Sequence, residues 1–249
     1  MCRWAAYLGE AVFLEDIVTA PCHSLIAQSH CAQEAKSPTN GDGFGLALYG
    51  DRPEPGLYRD ILPAWSDPNL KSLCRQIRSS LFLAHVRAST GGATSRMNCH
   101  PFTAGRWSFM HNGQIGGLVT IRRALENSLS DAVFAQREGT TDSELFFLLM
   151  IAEGLSGDPE GAVLRATSRV MGSSRRAGFE PALDLPPPCR TENRSMRYAM
   201  RPMPTRRRST PPSSAMAAGD PLCRSLSTLM AATGSRSRPL ASSPSPETA

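Results

Sequence analysis

Short apolar runs, separated by glycine, proline and polar residues, fill the first two thirds of the chain. The runs FGLALYG (44–50) and SLFLAHVRAS (80–89) predict buried strands, because each is short and bounded by residues typical of loops. The apolar stretch from Trp4 predicts the first strand. The segment WSFMHNGQIGGLV (107–119) predicts two strands joined by a tight turn at Asn112-Gly113, since Asn-Gly tolerates the positive φ of such turns.

Two later segments predict helices. Thr141 and Glu144 form a capping-box pattern immediately before the apolar run LFFLLMIA, and GDP at 157–159 ends that segment. PEGAVLRATSRVM (159–171) predicts a further helix. The longest apolar run is too short to span a bilayer. Acidic residues at positions 10, 15 and 16 are not typical of a secretory signal, so we expect a cytoplasmic location.

The composition of the 249-residue chain changes abruptly near residue 173. Residues 1–172 carry 15 Lys+Arg and 17 Asp+Glu, whereas residues 173–249 carry 12 Arg, 5 Asp+Glu and 12 of the 20 prolines, with no valine or isoleucine. Such a stretch lacks the apolar residues that a packed core requires. We therefore expect a folded domain at 2–172. The tail at 173–249 is either disordered or a frame-shifted reading of DNA that once encoded further strands, and the abrupt change favours the second interpretation.

The seven cysteines predict neither a disulfide framework nor a metal site. None forms a C-x-x-C pair. Cys22-His23, His30-Cys31 and Cys99-His100 suggest zinc at first sight, but their spacing fits no usual structural zinc pattern. Buried thiols and hydrogen-bonded imidazoles are the favoured interpretation.

Candidate catalytic and binding residues lie at the chain start and in predicted loops: Cys2, Arg87, Asn112-Gly113 and Asp142. Each has a simple alternative explanation. Cys2 is one of seven thiols, and Arg87 can pair with any surface carboxylate. Asn112-Gly113 can serve only as a turn, and Asp142 can stabilise only a helix dipole.

Taken together and in this order, these residues resemble the class II glutamine amidotransferases, the N-terminal-nucleophile type, and most of all their small stand-alone members. The resemblance covers residues 2–172 and rests on Met1-Cys2, DGFG (42–45), AHVRAST (84–90), NCHPF (98–102), HNGQI (111–115) and TTDSE (140–144). It implies an α+β fold, a four-layer α/β/β/α sandwich of two antiparallel sheets as in the Ntn hydrolases.

The resemblance also implies a role for each residue. Cys2, exposed by removal of Met1, would attack the side-chain amide of L-glutamine, with its own α-amine as the base. Asn112 and Gly113 would stabilise the oxyanion. Arg87 would bind the α-carboxylate and Asp142 the α-ammonium of the substrate, with further contacts from Ser89 and Thr90. The mechanism implied requires no cofactor and no metal. For His85, His100 and His111 we expect structural hydrogen bonds.

Two departures from the family pattern leave other functions open. Phe44 replaces a frequent tryptophan, and residues 173–249 lack the strands that complete the sheets in relatives, which makes the sandwich incomplete at its C-terminal end. No synthase domain follows in the sequence, so the ammonia acceptor or synthase partner is unknown. A γ-glutamyl amide hydrolase of the same fold is the nearest alternative. A defective, inactive product is a second alternative. The third is a non-catalytic protein whose Arg-rich tail binds nucleic acid, which scattered arginines and missing aromatic residues disfavour.

Overall fold

The computed structural model describes residues 2–30, 39–89 and 93–178. Its strands are β1 (Arg3–Phe13), β2 (Phe44–Tyr49), β3 (Gly56–Asp60), β4 (Arg78–Val86), β5 (Phe102–Ala104) and β6 (Trp107–Phe109). Its helices are α1 (Glu15–Val18), α2 (Leu25–His30), α3 (Pro68–Gln76), α4 (Leu118–Glu126), α5 (Asp131–Phe134), α6 (Asp142–Ala152) and α7 (Pro159–Arg176). No helix in these ranges is long and apolar enough to cross a membrane.

The larger sheet has four antiparallel strands in the order β1-β4-β2-β3. The strands predicted from Trp4, FGLALYG and SLFLAHVRAS are confirmed as β1, β2 and β4. Central β4 is buried on both faces, so its sequence is almost continuously apolar. Its alternating side chains separate two layers. Leu83 packs with Ala47 on one face, whereas Ala84 lines a small cavity with Leu25 and Leu70 from the helices on the other.

The smaller sheet consists of β5 and β6, and it corrects one prediction. Trp107–Phe109 pairs backward with Phe102–Ala104 rather than forward across Asn112-Gly113. The reversal uses Gly105, whose φ of +52° suits a tight turn. After β6 the chain forms no second strand: Ile115 makes only an isolated bridge, its side chain is buried in the apolar cluster with the helices, and α4 begins at Leu118.

The two sheets pack face to face, and helices cover both outer faces. Between the sheets, Ala47, Leu81 and Leu83 of the larger sheet pack with Met110. The Tyr49 hydroxyl lies 2.7 Å from Ser108 Oγ, which joins β2 to β6. On the far side, α4, α6 and α7 pack on β5 and β6 in the largest apolar cluster. The predicted α+β sandwich of two antiparallel sheets is confirmed.

The helices predicted after residues 140 and 158 are confirmed as α6 and α7. Helix α6 is buried at every position from Ser143 to Met150, because α4, α5 and α7 contact it around its circumference. Helix α7 continues to Arg176, four residues beyond the predicted domain boundary at 172. Residues 179–249 lie outside the described residues, so the nature of the tail stays a prediction.

Candidate active site

Cys2 lies at the end of the larger sheet, held beside the residues that follow β4. Because Arg3 pairs with Val86 in the β1–β4 register, Cys2 reaches Ala88. The Ala88 N–H donates to Cys2 Sγ at 3.3 Å, and the thiol lies 3.4 Å from the Ala88 carbonyl oxygen. Burial raises the pKa of the Cys2 thiol, against the opposing effects of the Ala88 hydrogen bond and the Arg87 charge. The thiol therefore needs a base to become nucleophilic.

Asn112 contacts the same cysteine from the loop after β6. Its Nδ2 donates to the Cys2 carbonyl oxygen at 3.0 Å, across 110 residues of sequence. An amide nitrogen carries two hydrogens, so one remains for another acceptor. Gly113 follows and is half-buried. The structure thus brings the predicted nucleophile and the predicted oxyanion donors together.

Arg87 is 6% exposed, yet within the described residues its guanidinium hydrogen-bonds only to neutral oxygens. Nη1 donates to the Asp42 backbone carbonyl at 3.4 Å and Nη2 donates to Ser89 Oγ at 3.2 Å. None of the ion pairs within residues 2–30, 39–89 and 93–178 involves Arg87. A buried cation without a counter-charge is unfavourable, so this environment suits an anionic ligand.

Asp142 begins α6 and faces the loop that contains Asn112. Its Oδ2 accepts from the Ile115 N–H at 3.0 Å, and its Oδ1 accepts from the Ser143 N–H at 2.8 Å. Ile115 is three residues beyond Asn112. The hydrogen bond from Ile115 therefore joins Asp142 to the loop that carries Asn112. The carboxylate keeps lone pairs for a further donor.

Of the predicted site residues, Arg87 and Ser89 are joined side chain to side chain, whereas Cys2 and Asn112 are joined through the Cys2 backbone carbonyl. No hydrogen bond in the described residues joins Cys2, Arg87 and Asp142 directly. Ser89 adjoins Arg87 through its hydroxyl, and its N–H donates to Asp42 Oδ2 at 2.7 Å. Thr90 lies outside the described residues.

Three residues have contacts at this site that the sequence did not predict, although Glu144 is predicted as part of a capping box. Asp42 fixes Ser89, as above. Asn98 binds the loop that precedes Asp142, with Oδ1 accepting from the Thr140 N–H at 2.8 Å. Glu144 accepts from the N–H groups of Glu138 and Gly139. Asp42, Asn98 and Glu144 lie inside the motifs DGFG, NCHPF and TTDSE, and that position was the only signal available in the sequence.

The expected hydrogen bonds of the histidines are confirmed for one residue and wrong for two. His111 Nδ1 lies 3.1 Å from Ser143 Oγ. His85 and His100 instead contact each other with ring centroids 4.5 Å apart and ring planes tilted by 32°, and no ring nitrogen of either has a hydrogen-bond partner in the described part of the chain. Burial lowers the pKa of His85 to about 3, and burial also lowers the pKa of His100 well below its usual value. Both rings are therefore neutral at pH 7.

The cysteines and histidines considered for zinc are dispersed. Cys22 is exposed and Cys99 is buried, whereas Cys31 lies outside the described residues. In the described ranges, no group of three or more His, Cys, Asp or Glu side chains is placed to hold a metal ion.

Comparisons with known proteins support the same family. The model for glutamine amidotransferases class-II matches residues 12–170. The chain is 40% identical to the probable glutamine amidotransferase DUG3 of Saccharomyces cerevisiae, over 64% of this chain and 48% of the yeast protein. It is 32% identical to a gamma-glutamyl-hercynylcysteine sulfoxide hydrolase of Mycolicibacterium smegmatis, over 54% of this chain and 61% of that protein.

A solved structure agrees with these sequence matches. A glutamine aminotransferase class-II domain protein from Silicibacter pomeroyi superposes with a TM-score of 0.55 and 45% identity, over 71% of this chain and 66% of that one. The chain spans about half the length of the yeast relative and less than two thirds of the mycobacterial one. The family match covers more than half of the chain, and we conclude that the chain belongs to the class II glutamine amidotransferases.

Proposed function

We propose that the protein hydrolyses the side-chain amide of L-glutamine, or of a γ-glutamyl compound, through Cys2. The observation that carries this proposal is the buried Arg87 guanidinium, which meets no carboxylate in the described residues and immediately precedes Ala88, the residue bonded to Cys2 Sγ. A carboxylate-bearing substrate would neutralise that charge next to a thiol. The catalytic unit of the proposal is the predicted domain at 2–172.

The proposed reaction begins when removal of Met1 exposes the α-amine of Cys2. Burial raises the pKa of the thiol, so the thiol is protonated at neutral pH. A free α-amine has a pKa of about 7.7–8.0 and can take that proton as sulfur attacks the amide carbon. The second N–H of Asn112 Nδ2 and the Gly113 N–H would stabilise the resulting oxyanion.

Collapse of the tetrahedral intermediate breaks the carbon–nitrogen bond. The α-ammonium of Cys2 returns the proton to the leaving nitrogen, and ammonia departs. A γ-glutamyl thioester remains on sulfur, and water then hydrolyses it to glutamate and regenerates the thiol.

The charged head of the substrate would bind to two residues of opposite sign. Arg87 offers a planar fork that matches a carboxylate, and Ser89 adjoins it, whereas Thr90 stays a prediction. Asp142 would accept the α-ammonium with the lone pairs that Ile115 and Ser143 leave unused.

A γ-glutamyl amide hydrolase is the second candidate function, and the name of the mycobacterial relative favours it. Arg87 and Asp142 would bind the same α-carboxylate and α-ammonium of the glutamyl group in both cases. The two functions therefore differ only in the amine that leaves. Initial rates on glutamine and on a panel of γ-glutamyl amides separate them. The ammonia acceptor, a synthase partner and a cytoplasmic location remain predictions from sequence.

The direct test combines N-terminal sequencing of the purified protein with an assay of glutamate release. We expect a chain that begins at Cys2, and we expect Cys2→Ala to abolish turnover. Cys22→Ala, at an exposed thiol, is the matched control and should retain wild-type activity. A protein that retains Met1, or a Cys2→Ala variant with full activity, contradicts the mechanism.

A further inference from the structure

A buried asparagine outside the proposed chemistry holds the segment that leads to Asp142. Asn98 ends a short 3₁₀ turn at Arg96–Asn98 and is 2% exposed. Its Oδ1 accepts from the Thr140 N–H at 2.8 Å. Its Nδ2 donates to the Ala93 carbonyl at 2.9 Å and to Thr140 Oγ1 at 3.2 Å. One amide therefore fixes a residue 42 positions away, two residues before Asp142.

The contact with Ala93 orients the Asn98 amide. A donor bond from Nδ2 to the Ala93 carbonyl leaves Oδ1 directed at Thr140, where only an acceptor can pair with the backbone N–H. Close packing adds a second constraint, because a Cβ atom on Gly139 would lie 2.5 Å from Asn98 Oδ1 and 2.7 Å from the Met97 carbonyl. The loop is fitted to this turn and has no room to shift towards it.

Other side chains hold the remaining polar groups of the same loop. The Glu144 carboxylate, 4% exposed, accepts from the N–H groups of Glu138 and Gly139, and Arg122 Nη2 donates to the Thr140 carbonyl at 2.7 Å. Arg137 Nε also donates to the Gly139 carbonyl at 3.0 Å, so side chains hold five backbone groups of residues 138–140. Thr141 then caps α6, and Asp142 follows with its carboxylate directed at Ile115.

We propose that Asn98 is a positioning residue that sets recognition of the substrate α-ammonium, by holding Thr140 and hence the Asp142 carboxylate in register with the Asn112 loop. This inference rests on the proposed function, in which Asp142 accepts that ammonium. It adds a residue that touches no substrate atom but determines where the accepting carboxylate stands. Loss of the Asn98 amide would leave the Thr140 N–H without its acceptor, and the loop would shift to pair that N–H elsewhere, which would displace the Asp142 carboxylate.

The test compares two substrates on the full-length protein: glutamine, and glutaric acid monoamide, which lacks only the α-amino group. The readout is the ratio of kcat/KM for glutamine to kcat/KM for the monoamide. We expect Asn98→Ala to lower this ratio about tenfold, the scale of one lost charge-assisted hydrogen bond, with little change for the monoamide. Asn98→Asp, which keeps the acceptor for the Thr140 N–H, should restore part of the ratio.

Asp67→Ala is the matched control. Asp67 is a buried polar residue that caps α3, away from the proposed site, by accepting from the N–H groups of Asn69 and Leu70. A general loss of stability lowers kcat/KM for both substrates by the same factor. Asp67→Ala should therefore leave the ratio unchanged. If Asn98→Ala, or Asn98→Leu where the alanine variant does not fold, also leaves the ratio unchanged, the inference is wrong, because both substitutions remove the acceptor for the Thr140 N–H.

Asp142→Asn distinguishes failure of the inference from failure of the proposed function. If Asp142→Asn collapses the ratio while Asn98→Ala does not, Asp142 reads the ammonium and only the positioning role fails. If the ratio in the wild-type protein is already near one, or if Asp142→Asn does not change it, Asp142 does not bind the ammonium, and the inference fails together with that role of Asp142. A protein that hydrolyses neither substrate overturns the proposed function itself.

Discussion

At the scale of single residues, the charge of Arg87 has an unusual setting. Its guanidinium is buried, and its hydrogen bonds go to the Asp42 carbonyl and the Ser89 hydroxyl, at 3.4 and 3.2 Å. Neutral oxygens compensate a buried cation only in part, and such a cation is retained at a cost in stability. A ligand carboxylate would supply the missing charge, which accounts for an arginine in a place where an apolar residue would be more stable.

Substitution of Arg87 tests this interpretation. Arg87→Gln removes the charge, and we expect kcat/KM for glutamine to fall about 10- to 150-fold, equivalent to about 1.5–3 kcal/mol for hydrogen bonds to a charged group. Arg87→Lys keeps the charge without the planar fork and should give an intermediate loss. The measurement compares glutamine with 4-aminobutanamide, the analogue without the α-carboxylate, on which the substitutions should have little effect.

Arg75→Gln provides the control, because Arg75 is exposed and pairs only with Glu15 on the surface. It should leave both rates unchanged. Equal losses of kcat/KM on both substrates in Arg87→Gln would show that Arg87 stabilises the protein rather than the bound carboxylate.

At the scale of elements, the start of α6 determines where Asp142 stands. Thr141 Oγ1 accepts from the Glu144 N–H at 3.1 Å, as the capping-box pattern predicts. A capping box also pairs the Glu144 carboxylate with the Thr141 N–H, and that part of the prediction is wrong. The carboxylate instead accepts from the N–H groups of Glu138 and Gly139. The loop before the helix folds back over its first turn, so these buried donors take the carboxylate away from Thr141.

Thr141→Ala should therefore destabilise the protein. We expect its free energy of unfolding in urea to fall by about 1 kcal/mol, the usual effect of a lost N-cap hydrogen bond. Ser130→Ala is the comparison, because Ser130 occupies the N-cap of α5 without a capping side-chain bond. It should change the free energy of unfolding by a few tenths of a kcal/mol at most. Equal effects of the two substitutions would contradict a stabilising cap at Thr141.

At the scale of the whole molecule, the two sheets meet through a pair of buried imidazoles. His85 belongs to β4 of the larger sheet, and His100 precedes β5 of the smaller one. Burial keeps both rings neutral in the folded protein, with the pKa of His85 lowered to about 3. In the unfolded chain a histidine titrates near pH 6.5. Below that pH, the unfolded chain binds protons that the folded protein does not.

The stability of the sandwich should consequently decline in acid. Each of these histidines removes about 1.4 kcal/mol of unfolding free energy per pH unit below 6.5 until its folded pKa is reached. We expect urea unfolding between pH 7.5 and 4.5 to show a shallower decline in His85→Phe than in the wild type, because one titrating ring is lost while an aromatic ring remains. His23→Phe, at an exposed histidine, should keep the wild-type decline. An unchanged decline in His85→Phe would contradict this linkage.

Local features of the fold followed from sequence, because they depend on a few neighbouring residues. The apolar runs of β2 and β4, the Thr141 cap of α6 and the start of α7 were all readable from short segments, whereas α7 extends five residues beyond the predicted 159–171. The Asn112-Gly113 turn was not, although the dipeptide favours a hairpin. Burial of Ile115 in the helical core outweighed that local preference and left Asn112 free to turn towards Cys2.

The sequence by itself determined which residues are candidates for the proposed chemistry, and their order along the chain. Only the tertiary structure decided which of them meet. Strand pairing of β1 with β4 brings Cys2 to Ala88, and sheet-on-sheet packing brings Asn112 to Cys2 across 110 residues. The tertiary structure also buries Arg87 without a carboxylate partner among the described residues, and it places Asn98 where it can hold the loop before α6. The physical reason is range: backbone propensities act over a few residues, whereas proximity, burial and electrostatic environment are set by elements far apart in the chain.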